Sequence, residues 1–74
     1  MMKNKYLLSV CYFDLLEKML HCEAFGIFES AESADNYAIN LINEIKNDLI
    51  LKNEMLEFVI NDFYEFEYNI KILE

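Results

Sequence analysis

A strand followed at once by a serine-capped amphipathic segment, together spanning Gly26–Leu49, constrains the fold more than any other part of this chain. Ser30 stands where a helix N-cap is expected, because a serine hydroxyl accepts a hydrogen bond from a backbone N–H two or three residues later. The residues after it place apolar side chains at spacings of three and four, which predicts one apolar helical stripe. The stripe consists of Ala31, Ala34, Tyr37, Ala38, Leu41, Ile42, Ile45 and Leu49. We predict a helix over 31–48 on which the rest of the chain packs.

Three segments have the composition and spacing of β-strands. Residues 5–13 are rich in aromatic and β-branched side chains and neither alternate set is polar, which predicts a strand buried on both faces. Residues 19–28 predict a second strand, joined to the first by a turn at 14–18 that contains neither Gly nor Pro. A short helix over 13–21 is the alternative interpretation of this connection. Residues 64–73 alternate apolar and polar side chains, which predicts a strand with one buried and one solvated face.

The segment 52–63 fits two structures. As a helix, it gathers most of its larger apolar residues on one side, namely Met55, Leu56, Val59, Ile60 and Phe63. As a strand, it places Leu56, Phe58 and Ile60 inward but leaves the opposite face apolar as well. The helix separates polar from apolar positions better and is the favoured interpretation.

These elements predict a single α+β domain over residues 1–74. An antiparallel sheet of three or four strands forms one layer, and one or two helices pack on one of its faces, in the order β-β-α-(α or β)-β. The small side chains at Ala24 and Gly26 are expected to let the helix approach the sheet closely. A chain this short buries only about 60 % of the surface that its unfolded form exposes, whereas 55 % of its residues are hydrophobic. We therefore expect part of the apolar surface to form a contact patch, in a homodimer or against another partner.

The charge balance narrows the class of partner. The chain has 14 Asp and Glu against 6 Lys, no Arg, and a formal net charge of −8. Phosphate contacts come from Lys and Arg, so this composition argues against direct nucleic-acid binding, and an anionic membrane surface would repel the chain. Basic proteins, including nucleic-acid-binding ones, are favoured as partners. The alternative is that the charge only keeps an apolar protein soluble.

Nothing in the sequence predicts a membrane span or an export signal. No run approaches the ~20 apolar residues that a span requires, and the apolar run 6–10 is short for the core of a signal peptide. We expect a cytoplasmic protein, in which Cys11 and Cys22 are free thiols.

Cys11, His21 and Cys22 are the one combination with metal-binding or nucleophilic chemistry. Pairing of the first two strands would bring Cys11 near the other two, but neighbouring residues of a strand point to opposite faces. The chain has no C-x-x-C motif, and its single glycine excludes a Gly-rich phosphate loop. We expect these three residues to serve packing, and we predict a protein that is not an enzyme and has no catalytic, cofactor or metal site. A small enzyme or metal protein that uses them is the weaker alternative.

Two acidic tracts without lysine, within 19–45 and 53–70, are the predicted partner-binding surface. Carboxylates from both tracts are expected to meet on one face and to steer a basic partner toward it. These residues are Glu29, Glu32, Asp35, Glu44, Glu54, Glu57, Asp62, Glu65 and Glu67. Phe63 and Tyr64 are the predicted aromatic anchors, since aromatic residues are enriched at interface hot spots.

One pattern carries a resemblance to known proteins. The chain reads G-x-F-x-S-x-x-x-A-x-x-Y-A at Gly26, Phe28, Ser30, Ala34, Tyr37 and Ala38. In this pattern, which lies within 22–45, and in its size and acidity, the chain resembles small phage-encoded inhibitors of host defence systems, including anti-CRISPR and DNA-mimic proteins. The frequent Asn, Ile, Lys and Tyr are typical of an AT-rich genome.

This resemblance implies a non-enzymatic inhibitor that works in the cytoplasm of a bacterial host. It would bind a basic nucleic-acid-binding protein, such as a CRISPR effector, and block its access to nucleic acid. The alternative function is a small homodimeric structural or adaptor module with no connection to nucleic acids.

Overall fold

The computed structural model describes residues 4–73, which form one antiparallel sheet and a helical layer on one of its faces. The elements in chain order are β1 (Lys5–Asp14), β2 (Met19–Phe28), α1 (Ala31–Asn53), a short 3-10 helix (Glu57–Val59), α2 (Ile60–Phe63) and β3 (Tyr64–Leu73). The strand order is β2-β1-β3, so β1 is central and both neighbours run antiparallel to it. This is the two-layer α+β architecture that the sequence predicts.

The hairpin between β1 and β2 is closed by Asp14 rather than by Gly or Pro. One carboxylate oxygen of Asp14 accepts hydrogen bonds from the backbone N–H groups of Leu16 and Glu17, both at 3.0 Å. Lys18 completes the turn in the left-handed region, at φ 55°, a conformation uncommon for residues with a side chain. The predicted turn is confirmed, and the alternative of a helix over 13–21 is wrong, because the two strands pair right up to the turn.

Helix α1 begins as predicted and ends later than predicted. Ser30 has an extended backbone, and its hydroxyl oxygen accepts a hydrogen bond from the Ser33 N–H at 3.0 Å. The helix extends past the predicted end at residue 48 as far as Asn53. It ends there because Glu54 takes the left-handed conformation at φ 52° and its N–H donates to the carbonyls of the last turn. Glycine usually occupies this left-handed position at the end of a helix. The sequence has Glu54 there, so it gives no sign of the helix end.

The segment after α1 is helical, as favoured, but it is broken into two short pieces. Met55 and Leu56 belong to no helix or strand, and the 3-10 helix and α2 follow before β3 starts. Ile60 is buried, whereas Leu56 and Phe58 are exposed. The apolar side predicted for a continuous helix over 52–63 is therefore wrong at Leu56, which does not face the core.

Two clusters of buried side chains form the core between α1 and the sheet. The first consists of Leu8, Val10, Ala34 and Ala38, with Ala24, Phe28, Leu41, Ile42 and Ile70 packed against it. The second consists of Tyr12, Ile60 and Tyr64, with Ile45, Leu49, Ile50, Met55, Phe63 and Phe66 packed against it. The first cluster joins Ala24 of the sheet to two fully buried alanines of α1, as expected. Gly26 does not serve this approach, because a Cβ there would meet only the Phe28 ring, at 3.6 Å.

Only one face of the sheet is covered. A helix of 23 residues rises about 35 Å and a strand of 10 residues about 33 Å, so α1 matches the length of β1. Leu8 and Val10 are buried beneath it, whereas their neighbours Leu7 and Phe13 point to the other side and are half-buried. The prediction that β1 is buried on both faces is wrong, because the described chain has a single helical layer.

Candidate functional site

The uncovered side of the sheet, here called the open sheet face, is the candidate functional surface. The side chains that form it follow from the strand register and from the alternation of burial along each strand. They are Leu7, Ser9, Cys11 and Phe13 of β1, Leu20, Cys22, Phe25 and Ile27 of β2, and Glu65, Glu67, Asn69 and Lys71 of β3. An antiparallel sheet with one covered face normally carries polar side chains on the other. The open sheet face meets that expectation only on β3.

The β2 side of the open sheet face is an exposed apolar strip. Leu20, Phe25 and Ile27 have 60 %, 77 % and 62 % of their surface exposed. Strand β2 also lies at an edge of the sheet, so its outer backbone groups have no strand partner among the described residues. The strand contains neither Lys nor Pro, two of the residue types that usually protect edges from pairing with another chain. The strip therefore has the character of a contact surface.

The β3 side of the same face is charged, with two carboxylates at one end and Lys71 at the other. Glu65 and Glu67 lie opposite Phe13 and Cys11 of the central strand, and both are exposed. The open sheet face thus changes from apolar on β2, through the half-buried side chains of β1, to charged on β3. Apolar groups beside carboxylates complement a partner surface that presents apolar groups beside Lys or Arg.

The other predicted acidic residues lie elsewhere. Glu32 and Glu44 are exposed on α1, Glu54 caps the end of that helix, and Glu57 and Asp62 belong to the 3-10 helix and α2. The nine predicted carboxylates are therefore distributed over both layers, and two of them reach the open sheet face. Their role in binding a partner stays a prediction.

Two of the predicted acidic residues are engaged within the chain. Glu29 accepts a hydrogen bond from the Lys5 ammonium at 2.8 Å, in an ion pair between exposed side chains. Asp35 is half-buried and accepts a hydrogen bond from the Tyr68 hydroxyl, which raises the pKa of that tyrosine. The two contacts tie the connection between β2 and α1, and the start of α1, to the strands β1 and β3. They give these carboxylates a structural role in addition to any part in binding.

Neither predicted aromatic anchor is a surface residue of that kind. Tyr64 belongs to the core, where its ring contacts Tyr12 edge-on with centroids 5.8 Å apart, and burial raises its pKa. Phe63 is half-buried against the same cluster. The prediction of Tyr64 as an exposed anchor is wrong, because it is the first inward-facing residue of β3. The exposed phenylalanines are Phe25 and Phe58.

The cysteines and the histidine separate onto two faces. Cys11 and Cys22 lie directly opposite each other on the open sheet face, with their sulfur atoms 3.2 Å apart. His21 faces the covered side, where its ring stacks on Tyr12 with centroids 4.6 Å apart. Residues 4–73 contain no group of three or more His, Cys, Asp and Glu side chains that could hold a metal ion. The arrangement brings two thiols together and leaves the imidazole in a packing role.

A β-bulge explains why the two cysteines meet. Between Val10 and Cys11 the register of β2 shifts by one residue, so Ala24 pairs with Val10, Cys22 pairs with Cys11, and Glu23 is the extra residue. The pKa of Tyr12 is raised, first by burial and also by the neighbouring Glu23 carboxylate, which places this extra side chain near the covered face. Without the bulge, a register running on from Val10 and Ala24 would pair Cys11 with Glu23.

A concave region lies away from the open sheet face. An open groove of about 760 Å³ runs between α1 and the segment that follows it, lined by Asn43, Lys46, Asn47, Ile50, Glu57, Phe58, Ile60 and Asn61. Lys46 also lies 5.1 Å from the centroid of the Phe66 ring. The lining contains amides, one ammonium and one carboxylate, but no cysteine, serine or histidine that could act as a nucleophile or base.

Comparison with family models, with curated proteins and with solved structures finds no match for this chain. Within residues 4–73 no helix is both long enough and apolar enough to cross a membrane.

Proposed function

We propose that this chain is a non-enzymatic protein-binding inhibitor whose open sheet face docks on a basic, nucleic-acid-binding protein. The observation that carries the proposal is one uncovered sheet face that has an exposed apolar strip on β2 and, across the central strand β1, two carboxylates on β3. Phe25 and Ile27 supply the apolar contact, and Glu65 supplies part of the charge. A phage-type inhibitor of a CRISPR effector is the example that the sequence resemblance suggests.

The amount of exposed surface supports a docking role. The chain exposes 5696 Å², whereas a compact monomer of 8.9 kDa exposes roughly 4,800 Å². The excess of roughly 900 Å² is close to the ~800 Å² that each partner buries in a protein interface of standard size. The dimensions agree, because the molecule measures 50 × 21 × 15 Å and so presents broad faces on a thin body. A partner that covers the open sheet face would restore the usual balance of exposed and buried surface.

The charge supports the class of partner. A net charge of −8 without arginine repels nucleic acid and attracts Lys- and Arg-rich proteins. Carboxylates on both layers steer the encounter from many directions, while Glu65 and Glu67 lie within the docked face. An inhibitor built in this way occupies the basic surface that its partner needs for nucleic acid.

A pair of matched double variants tests this function. Glu65→Gln with Glu67→Gln removes two charges from the open sheet face, and Glu32→Gln with Glu44→Gln removes two from α1. Association with a purified CRISPR effector is measured by surface plasmon resonance at several salt concentrations. We expect the first variant to lose at least about tenfold in affinity and the second to lose mainly association rate. Equal losses, or an association rate that does not change with salt, would contradict the proposal.

A homodimer formed through the same face is the second candidate. It is favoured by the apolar strip on β2, which is self-complementary in a twofold pair, and by the position of that strand at an edge of the sheet. Sedimentation of the full chain over a wide concentration range measures it. A monomer at the highest concentration rejects the dimer. A dimer that Phe25→Ser dissociates, while Phe58→Ser leaves it intact, supports it.

A further inference from the structure

Two thiols face each other at the centre of the open sheet face. The Cys11 thiol donates a weak hydrogen bond to the Cys22 sulfur, with the sulfur atoms 3.2 Å apart. Cys22 is exposed and Cys11 is half-buried. The two residues are direct cross-strand partners in the hairpin of β1 and β2. Neither the binding function proposed above nor the core requires this pair.

The backbone at this position suits a covalent bond. Residues directly opposite in an antiparallel pair have Cα atoms about 4.5–5.5 Å apart, within the 4.4–6.8 Å that disulfides span. The sulfur atoms must approach from 3.2 Å to about 2.0 Å. The bulge at Glu23, next to Cys22, sets the register that pairs Cys22 with Cys11 and locally disrupts the ladder.

We propose that Cys11 and Cys22 are a redox modification site that closes into a cross-strand disulfide by exchange with a low-molecular-weight disulfide such as oxidised glutathione. Cys22 is the attacking thiol and Cys11 is the resolving thiol. The proposal stands on the geometry of the hairpin and does not depend on the proposed function.

The exchange has two steps that balance. Cys22 loses its proton to solvent, and its thiolate attacks one sulfur of oxidised glutathione, which forms a mixed disulfide and releases one glutathione thiolate. Cys11 then loses its proton to solvent, and its sulfur attacks the Cys22 sulfur of the mixed disulfide and releases the second glutathione thiolate. Both released thiolates take up a proton. The two protein thiols are oxidised, and one glutathione disulfide is reduced to two thiols.

The order of attack follows from exposure and hydrogen bonding. Cys22 is open to solvent, so a small disulfide reaches its sulfur directly. Cys11 holds its proton in the hydrogen bond to Cys22, and this bond, partial burial and the nearby Glu67 carboxylate raise the pKa of its thiol. A raised thiol pKa lowers the thiolate fraction and slows attack on an external disulfide. Within the mixed disulfide the resolving attack is intramolecular, so proximity offsets this disadvantage.

The test incubates the reduced full-length chain with oxidised glutathione, quenches samples with acid and measures intact mass. We expect a monomer that has lost two hydrogens and carries no glutathione. Cys11→Ser is expected to accumulate a stable single glutathione adduct, and Cys22→Ser to form its adduct about tenfold more slowly. The double variant with both changes, which has no thiol, controls for modification elsewhere.

Three results would overturn the proposal: no loss of hydrogens in the wild-type chain, a disulfide between two chains in place of the internal one, or equal rates of adduct formation in the two single variants. Rapid acid quenching of the wild-type reaction, followed by peptide mapping, gives a second measurement that needs no variant to fold. The trapped glutathione must be found on Cys22. Its presence on Cys11 rejects the assigned order.

Discussion

The two faces of the sheet show how one apolar strand can serve two purposes. On the covered face, Leu8 and Val10 have no exposed surface and contact the alanines of α1. On the open sheet face, Leu7, Cys11 and Phe13 of the same strand stay half-buried, although they are equally apolar. The difference comes from the number of helical layers and not from the side chains. The covered face therefore contributes most of the buried core, and the open sheet face stays accessible to solvent.

The largest effect on stability is expected from a cavity on the covered face. Leu8→Ala removes a fully buried side chain and should lower the free energy of unfolding by about 2–5 kcal/mol, from lost burial and from the cavity left behind. Leu7→Ala makes the same change on the open sheet face, where water already reaches the side chain. It should cost less than half as much. Urea denaturation followed by circular dichroism measures both values.

A loss of similar size for the two leucine variants would contradict the comparison. It would show that the open sheet face is as well covered in solution as the face beneath α1. The slope of the transition with denaturant should be the same in both variants, since neither change alters how much surface unfolding exposes.

The next effect concerns the close approach of α1 to the sheet. Ala38 is fully buried, so Ala38→Leu inserts a side chain where no space exists and should cost about 1–3 kcal/mol. Ala31→Leu, at an exposed position in the same helix, is the matched control and should change stability by less than about 0.5 kcal/mol. Thermal denaturation of both variants measures the difference. Equal melting temperatures would mean that helix and sheet are not tightly packed at Ala38.

A smaller effect is expected at the start of the covering helix. Ser30→Ala removes the hydroxyl that accepts from the Ser33 N–H and should cost about 1 kcal/mol. Ser30→Asp keeps an acceptor and adds a charge suited to the helix N-terminus, so it should retain stability. Chemical denaturation of the two variants gives the measurement. If Ser30→Asp is as destabilised as Ser30→Ala, the cap contributes nothing through its hydrogen bond.

Much of the covered face could be predicted from the sequence because local rules govern it. The Ser30 cap, the helical stripe and the alternation over 64–73 each rest on spacing within one segment. The spacing was wrong about burial at Ala31 and Tyr37 of the stripe and at Tyr68 and Ile72 of β3, which are exposed. The end of α1 could not be predicted, because Glu54 takes a conformation that glycine usually marks. The hairpin turn lacked its usual signal for a similar reason, since Asp14 closes it through its side chain.

The open sheet face was harder to predict, because it depends on how the elements are assembled. Both alternate sets of side chains in β1 are mainly apolar, which predicts a strand buried on both faces. The local sequence gives no sign that a helical layer covers only one of these faces. The same limit applies to the acidic surface. The acidic tracts are visible in the sequence, but whether Glu32 of α1 and Glu65 of β3 share a surface depends on the layer that each element joins. Tyr64 failed as an anchor because one position along β3 decides between core and solvent.

The smallest effect on stability is expected from Phe25→Ser, which changes the open sheet face. Phe25 is 77 % exposed, so its loss should change the free energy of unfolding by no more than about 0.5 kcal/mol, whereas Phe28→Ser on the covered face should cost several times more. Chemical denaturation at two protein concentrations measures both. If Phe25→Ser is strongly destabilising and the loss grows with concentration, the open sheet face is buried against a second copy, since association stabilises the folded state by mass action. If the loss is small at both concentrations, the face is free in the isolated chain, which agrees with the proposal that a different protein binds there.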